Sequence, residues 1–158
     1  LTIYRNASAS SSSSDAKNGS GSSSPLRLVS IQFPDPHFKN KQKKRRVVTS
    51  ELVRTLAKHT DPDAIIFIQS DVQTVLDDMR EVIRNTTVSS IDGNDSDNRV
   101  YFQDQVEDLK EYIDDTDERY LEMKLVPTER EGSVTKQGLP VFRSIFRRTA
   151  ILLETDNN

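Results

Sequence analysis

The sequence contains no cysteine, and that absence removes disulfides, thiolate nucleophiles and cysteine-ligated zinc from consideration. Histidine is nearly as scarce. His37 and His59 are the two in 158 residues, which leaves no metal-ligand cluster, so no metal is expected. No apolar run approaches the roughly 18 residues of a membrane span, and no membrane partner is expected. Nor is there an excess of positive charge: 22 Lys and Arg against 25 Asp and Glu give a formal net charge of −3. That balance excludes a uniformly basic nucleic-acid coat and confines any polyanion binding to local patches. Sequons at Asn6, Asn18, Asn85 and Asn94 carry no weight without a secretory signal. Methionine is missing from the first position, and Leu1 opens within a strand-like run, which reads as a fragment or a truncated gene model. With 30% charged and 34% hydrophobic residues, the chain reads as soluble, part ordered and part loop, and long enough for one domain.

What is present alternates between strand and helix patterns. Residues 1–7 read as the end of a strand. Residues 8–25 hold a Ser/Gly/Asn tract with no apolar residue larger than alanine, which buries too little to offset ordering entropy and reads as a disordered insertion. Residues 26–153 form the main body, followed by a tail at 154–158. Within it, Leu26 to Phe33 has a buried-strand composition. Thr49 or Ser50 can cap a helix carrying Leu52, Val53, Leu56 and Ala57, ending near His59. Ala64 to Ile68 is a continuous apolar run, as in a strand covered on both faces. Ser70 or Asp71 then opens a helix whose Val72, Val75, Leu76, Met79, Val82 and Ile83 recur at helical spacing. Residues 85–118 are acidic and read as a surface insertion, with turn chemistry at Asp92-Gly93-Asn94 and an acidic helix over Asp104 to Tyr112. Leu121, Met123 and Leu125 alternate with polar residues and predict a half-exposed strand. Most of Pro140 to Leu153 reads as a final strand. Strand, helix, strand, helix, strand indicates an α/β sheet with crossover connections.

The most informative segment is Phe33-Pro34-Asp35-Pro36-His37-Phe38, which passes directly into Lys39-Asn40-Lys41-Gln42-Lys43-Lys44-Arg45-Arg46. The two prolines fix their own φ near −65° and bias Phe33 and Asp35 away from helix, so one carboxylate sits on a stiff elbow at a strand's end beside a cationic track. Taken alone, an Asp between prolines is usually a turn residue and less often a catalytic one, and a Lys/Arg run is most often a solvated face or an import signal and less often a nucleic-acid contact. Asp71 likewise stands open between helix cap and site residue. Glu131 and Arg130 read equally as an ordinary surface ion pair.

Three spaced segments share a resemblance. Phe33 to Lys39 with Lys44-Arg45-Arg46-Val47-Val48 resembles the signature of the tRNA (guanine-N7)-methyltransferases, where a Pro-Asp-Pro-Trp/His segment closes the fourth strand of a class I methyltransferase fold. Thr128-Glu129-Arg130-Glu131, with Gly138 to Arg143 and Phe146-Arg147-Arg148, is similar to that family's Thr-x-x-Glu segment and closing strand. Gln69-Ser70-Asp71-Val72 resembles its turn after the fifth strand. Three matches in register and in order make chance agreement improbable.

The resemblance implies an α/β, Rossmann-like class I methyltransferase sheet, here lacking its first strands and the glycine-rich cofactor turn, with a long strand edge left open. It implies S-adenosyl-L-methionine as cofactor and methylation of guanosine N7 in the variable loop of tRNA. Asp35 is implied as the catalytic position. Lys39, Asp71, Thr128, Glu129, Arg130 and Glu131 are implied around the target nucleotide, and Asn6, Ala7 and Asp35 on the cofactor side. Lys41, Lys43, Lys44, Arg45 and Arg46 would contact tRNA phosphates. Gln42 departs from the histidine that bacterial relatives often carry in this run. An intracellular protein follows, of plastid, cytoplasm or nucleus, the wording being closer to the bacterial and plastid branch, with a WD-repeat β-propeller partner if it is of the eukaryotic type. Two other readings stand beside this one: a noncatalytic tRNA-binding fragment without the cofactor half, and an interaction scaffold using the acidic insertion.

Overall fold

A computed structural model describes residues 2–4, 26–36, 46–87, 99–106, 111–123 and 126–150. The serine tract, the turn at Asp92-Gly93-Asn94 and the tail lie outside the described residues. Nine elements follow one another: β1 (Thr2–Tyr4), β2 (Leu26–Gln32), α1 (Ser50–His59), β3 (Thr60–Ser70), α2 (Gln73–Asn85), β4 (Phe102–Asp104), α3 (Glu118–Met123), α4 (Glu129–Lys136) and β5 (Phe142–Arg148). The strands form one sheet in the order β1-β2-β3-β5-β4. β2 and β3 are parallel and joined through α1, the crossover connection that the alternation predicts. β5 runs antiparallel to both β3 and β4. β1 lies antiparallel on β2, Thr2 opposite Ser30 and Tyr4 opposite Leu28, so the edge expected to stand open is paired over this stretch.

Local chemistry accounts for the helices. Thr49 caps α1, its Oγ1 accepting from the Leu52 amide at 3.2 Å, and Val53, Leu56 and Ala57 are buried. At the other end of α1, the buried Arg148 of β5 donates to the Ala57 carbonyl at 3.3 and 3.4 Å, partnering a carbonyl that the helix leaves unmatched. α2 buries Val75, Leu76, Met79 and Ile83 in the predicted register. Its start differs from expectation. The N-cap is Val72, with no side-chain cap, and the Ser70 hydroxyl accepts from the Val72 amide at 3.1 Å, so Asp71 does not cap this helix.

One face of the sheet carries the main core, in which Val29, Ile31, Ile66, Ile68 and Phe146 meet Val53 and Leu56 of α1 and Leu76, Met79 and Ile83 of α2. The opposite face carries a smaller cluster of Phe67, Ile145, Val106 and Ile113. Two elements depart from the sequence reading. Phe102–Asp104 is a strand that ends where a helix over Asp104 to Tyr112 is predicted to begin, because Phe102 pairs opposite Arg148 and its fully buried ring belongs to the main core; residues 107–110 of that predicted helix lie outside the described residues. Residues 118–123 are helical where a strand is predicted: Asp117 gathers the Arg119 amide at 2.9 Å on its carboxylate and the Tyr120 and Leu121 amides on its carbonyl. Leu121 stays more than half exposed, so its alternation with Glu122 marks no sheet face. Among the described residues no helix is long and apolar enough to cross a membrane, and no group of three or more His, Asp or Glu is placed to hold a metal.

Candidate functional site

Parallel strands of an open α/β sheet present ligands at their carboxyl ends, and β2 and β3 end side by side here. Past the end of β2, the Phe33 amide donates to the Gln69 carbonyl at 2.9 Å, extending the pairing by one residue. The chain then turns sharply. Phe33 takes φ 46°, a left-handed conformation that a bulky side chain rarely adopts and that costs about 1–3 kcal/mol. The bias of a residue before proline away from right-handed helix is therefore satisfied by a left-handed turn and not by continued strand. The turn is followed by Pro34, Asp35 and Pro36, with Asp35 exposed.

An open cleft of about 530 Å³ lies over these strand ends. Its walls are the turn from Gln32 to Pro36, Asp71 and Val72 after β3, and Thr128 and Arg130 at the start of α4. Four of the residues singled out from the sequence, Asp35, Asp71, Thr128 and Arg130, thus meet in one cavity although they span almost a hundred positions. Asp71 and Arg130 form an ion pair across the cleft. Arg46 is drawn to Asp78 of α2 at 3.1 Å, in a smaller apolar recess that it shares with Asp35, Val48 and Met79. Glu129 is exposed and does not line the cleft. Lys39, Lys41, Lys43, Lys44, Arg45, Asn6 and Ala7 lie outside the described residues.

Glu131 has a different place. It is 7% exposed and sits below the cleft. Thr128 and Glu131 form a capping box: the Thr128 hydroxyl accepts from the Glu131 amide at 3.1 Å, and the Glu131 carboxylate accepts from the Thr128 amide at 3.4 Å. The spacing Thr-x-x-Glu carries this local signal in the sequence itself. The same carboxylate accepts from Arg143 at 2.7 Å and from the Gln69 amide nitrogen at 3.2 Å. Burial alone would raise the Glu131 pKa. Hydrogen bonds from Arg143 and Gln69, the Arg143 charge and the Thr128 amide outweigh burial and hold it below the ordinary glutamate value.

Arg143, Gln69 and Gln32 extend this network; Gln69 and Arg143 fall within the segments that carry the sequence resemblance, but none of the three is among the site residues it implies. Arg143 also reaches Asp115 at 2.8 Å and lies over the Tyr120 ring, 4.6 Å from its centroid. Tyr120 stacks on Phe67 at 5.8 Å, and burial raises its pKa. The amide groups of Gln69 and Gln32 meet at 2.6 Å. The ends of β2, β3 and β5 and the start of α4 are thereby tied into one buried polar cluster beneath the cleft.

Residues 22–113, more than half of the chain, match the model of a family described as "Putative methyltransferase". The chain belongs to this methyltransferase family. Its Rossmann-like α/β sheet is the fold expected of the family, with the Phe33 to Pro36 turn and Asp71 inside the matched region. Individual relatives agree. A tRNA (guanine-N(7)-)-methyltransferase of Microcystis aeruginosa (strain NIES-843 / IAM M-2473) is 40% identical over 75% of this chain and 46% of its own length. Proteins of the same name from Synechococcus sp. strains WH7803 and CC9902 are 36% and 38% identical, each over 78% of this chain and 44% of their own length. This methyltransferase chain thus spans less than half the length of the curated relatives it matches.

Proposed function

We propose that the cleft receives a guanosine of tRNA and that the full natural polypeptide methylates it at N7. The observation carrying this reading is the meeting of Asp35, Asp71, Thr128 and Arg130 at the carboxyl ends of two parallel strands, in a chain whose relatives are named tRNA (guanine-N(7)-)-methyltransferases. Guanine N7 already holds a lone pair, so the cleft needs no general base. Its task reduces to alignment and electrostatics. S-Adenosyl-L-methionine, the donor this reading requires, supplies an electrophilic methyl on a sulfonium sulfur. Among the described residues, the exposed Asp35 carboxylate on its stiff turn fits a cationic group of that kind.

As the N7–methyl bond forms and the methyl–sulfur bond breaks, positive charge passes into the purine ring. Asp35 stabilises that distribution by accepting from the base edge, and Asp71, held by Arg130, offers a second acceptor. Thr128 and Arg130 close round the nucleotide, and Lys39 is a further candidate contact. The target base must leave its stack to reach the cleft.

Two outcomes test the reading. N7-methylguanosine formation on unmodified tRNA, measured with labelled S-adenosyl-L-methionine, is expected for the full natural polypeptide and to fall at least about a hundredfold in Asp35→Ala. Absence of transfer by the unaltered polypeptide overturns the enzyme reading. Second, the five cations Lys39, Lys41, Lys43, Lys44 and Arg45, at about 0.7–0.9 counterions each, predict a slope of about −4 for log affinity against log salt. Replacing Lys43 and Lys44 together with alanine is expected to reduce that slope by about 1.5. An unchanged slope would remove the track from tRNA binding.

A further inference from the structure

We infer that Gln32 is a specificity-determining residue that presents a hydrogen-bond donor to the base, and that Arg143 and Gln69 are positioning residues that hold its amide in that sense. Arginine can only donate and an ionised carboxylate can only accept. Arg143 Nε lies 3.2 Å from one terminal atom of Gln69, which must therefore be the oxygen. Glu131 Oε2 lies 3.2 Å from the other, which must be the nitrogen. The two assignments agree, so the Gln69 amide has one allowed orientation.

That orientation passes upward. Gln69 Nε2 also lies 2.6 Å from Gln32, and a nitrogen with a proton to give requires an acceptor, so this atom of Gln32 is its oxygen. The Gln32 nitrogen is left on the other side. One of its protons goes to the Ser30 hydroxyl at 2.7 Å. Gln32 lines the cleft, and the second proton is available to whatever the cleft holds. A glutamine amide free to rotate would serve donors and acceptors alike. Here Arg143, which lines no part of the cleft, forbids the flip.

This inference rests on the proposed guanosine site and deepens it. Guanine offers the acceptor O6 beside N7, whereas a 6-aminopurine places an N–H donor at the same position. Two donors facing each other leave both unmatched and desolvated, which is how a polar site rejects the wrong group. Gln32 donating to O6 would leave the N7 lone pair free for the methyl group. Asp35 and Asp71 would match the N1–H and N2–H donors of the same base.

The test measures equilibrium binding of the full natural polypeptide to two tRNA transcripts, one with guanosine and one with 2,6-diaminopurine riboside at the target position. Methyl transfer to the guanosine transcript is measured separately. Tighter binding of the guanosine transcript is expected, and Gln32→Leu should reduce that preference by about tenfold. Arg143→Met should reduce it in the same direction from outside the cleft, a change in ratio that loss of stability alone does not produce. Gln32→Glu, which replaces the donor with an acceptor, should shift the preference toward the diaminopurine transcript further than Gln32→Leu does, and serves if Arg143→Met fails to fold. An equal affinity of the unaltered polypeptide for both transcripts, or a preference whose size neither Gln32→Leu nor Gln32→Glu changes, overturns the inference. Base preference that follows Gln32 without methyl transfer supports the inference and overturns the catalytic reading alone.

Discussion

Arg80→Ala is expected to lower the stability of the chain by about 3–5 kcal/mol, more than any apolar truncation of comparable size at the helix surface. Arg80 lies on α2 and is fully buried, an unusual position for a guanidinium. It is held there by Asp104 at the end of β4, with contacts of 3.0 and 3.2 Å, and by the carbonyls of Glu111 at 2.8 Å and Val106 at 3.1 Å. Asp104 is itself only 6% exposed at its side chain, and its other oxygen accepts from the Val106 amide at 2.9 Å. Removing the guanidinium leaves a buried carboxylate and two carbonyls without this donor, and each loss is desolvation without compensation. Urea denaturation checks it. With a slope of about 2 kcal/mol per molar for a chain of this size, the midpoint should fall by roughly 2 M. Arg84→Ala provides the contrast, because the Arg84 side chain is 34% exposed and lies 3.9 Å from Asp104, and it should cost less than Arg80→Ala. Equal effects from both variants would refute the central role given to Arg80.

That buried pair also marks a boundary of what the sequence could reveal. β2, α1, β3 and α2 were legible because each depends on a short-range pattern: an apolar run, a Thr cap, or the spacing of Val75, Leu76, Met79 and Ile83. Phe102–Asp104 was not, since its strand character exists only through β5, more than forty residues later. Arg80 looks like a polar residue on an otherwise amphipathic helix until Asp104 is folded against it. The alternation at Leu121 to Met123 matches a strand template, yet three backbone amides collected by Asp117 decide for helix. The site divides in the same way. Asp35, Asp71, Thr128 and Arg130 were legible through motif wording, and the cleft unites them. Glu131 was legible as part of the same motif, but its carboxylate points to the capping box and Arg143 and not to the cleft. Gln32, Gln69 and Arg143 form a network of side chains from three strands. No window of sequence contains it.

Glu131→Gln is expected to cost about 3 kcal/mol at neutral pH and to change how the protein responds to acid. The cost sits at the lower end for a broken buried pair because Arg143 keeps Asp115 at 2.8 Å and the Gln69 oxygen at 3.2 Å. The direction of the pH effect follows from the depressed Glu131 pKa, where hydrogen bonds and the charge of Arg143 outweigh burial. A carboxylate with a lower pKa in the folded state than in the unfolded one contributes stability above the unfolded value, about pH 4.3, and loses it as pH falls through the folded value. The unaltered protein should therefore lose stability more steeply than Glu131→Gln below about pH 4.3, and the difference between the two should narrow there. Asp114 and Asp117, also depressed, titrate with the same sign in both proteins and cancel in that difference. Denaturation midpoints measured from pH 7 to pH 3 decide the matter. A difference that stays constant across this range would mean that Glu131 acts through shape alone, and the charge pairing that orders the base of the cleft would have to be abandoned.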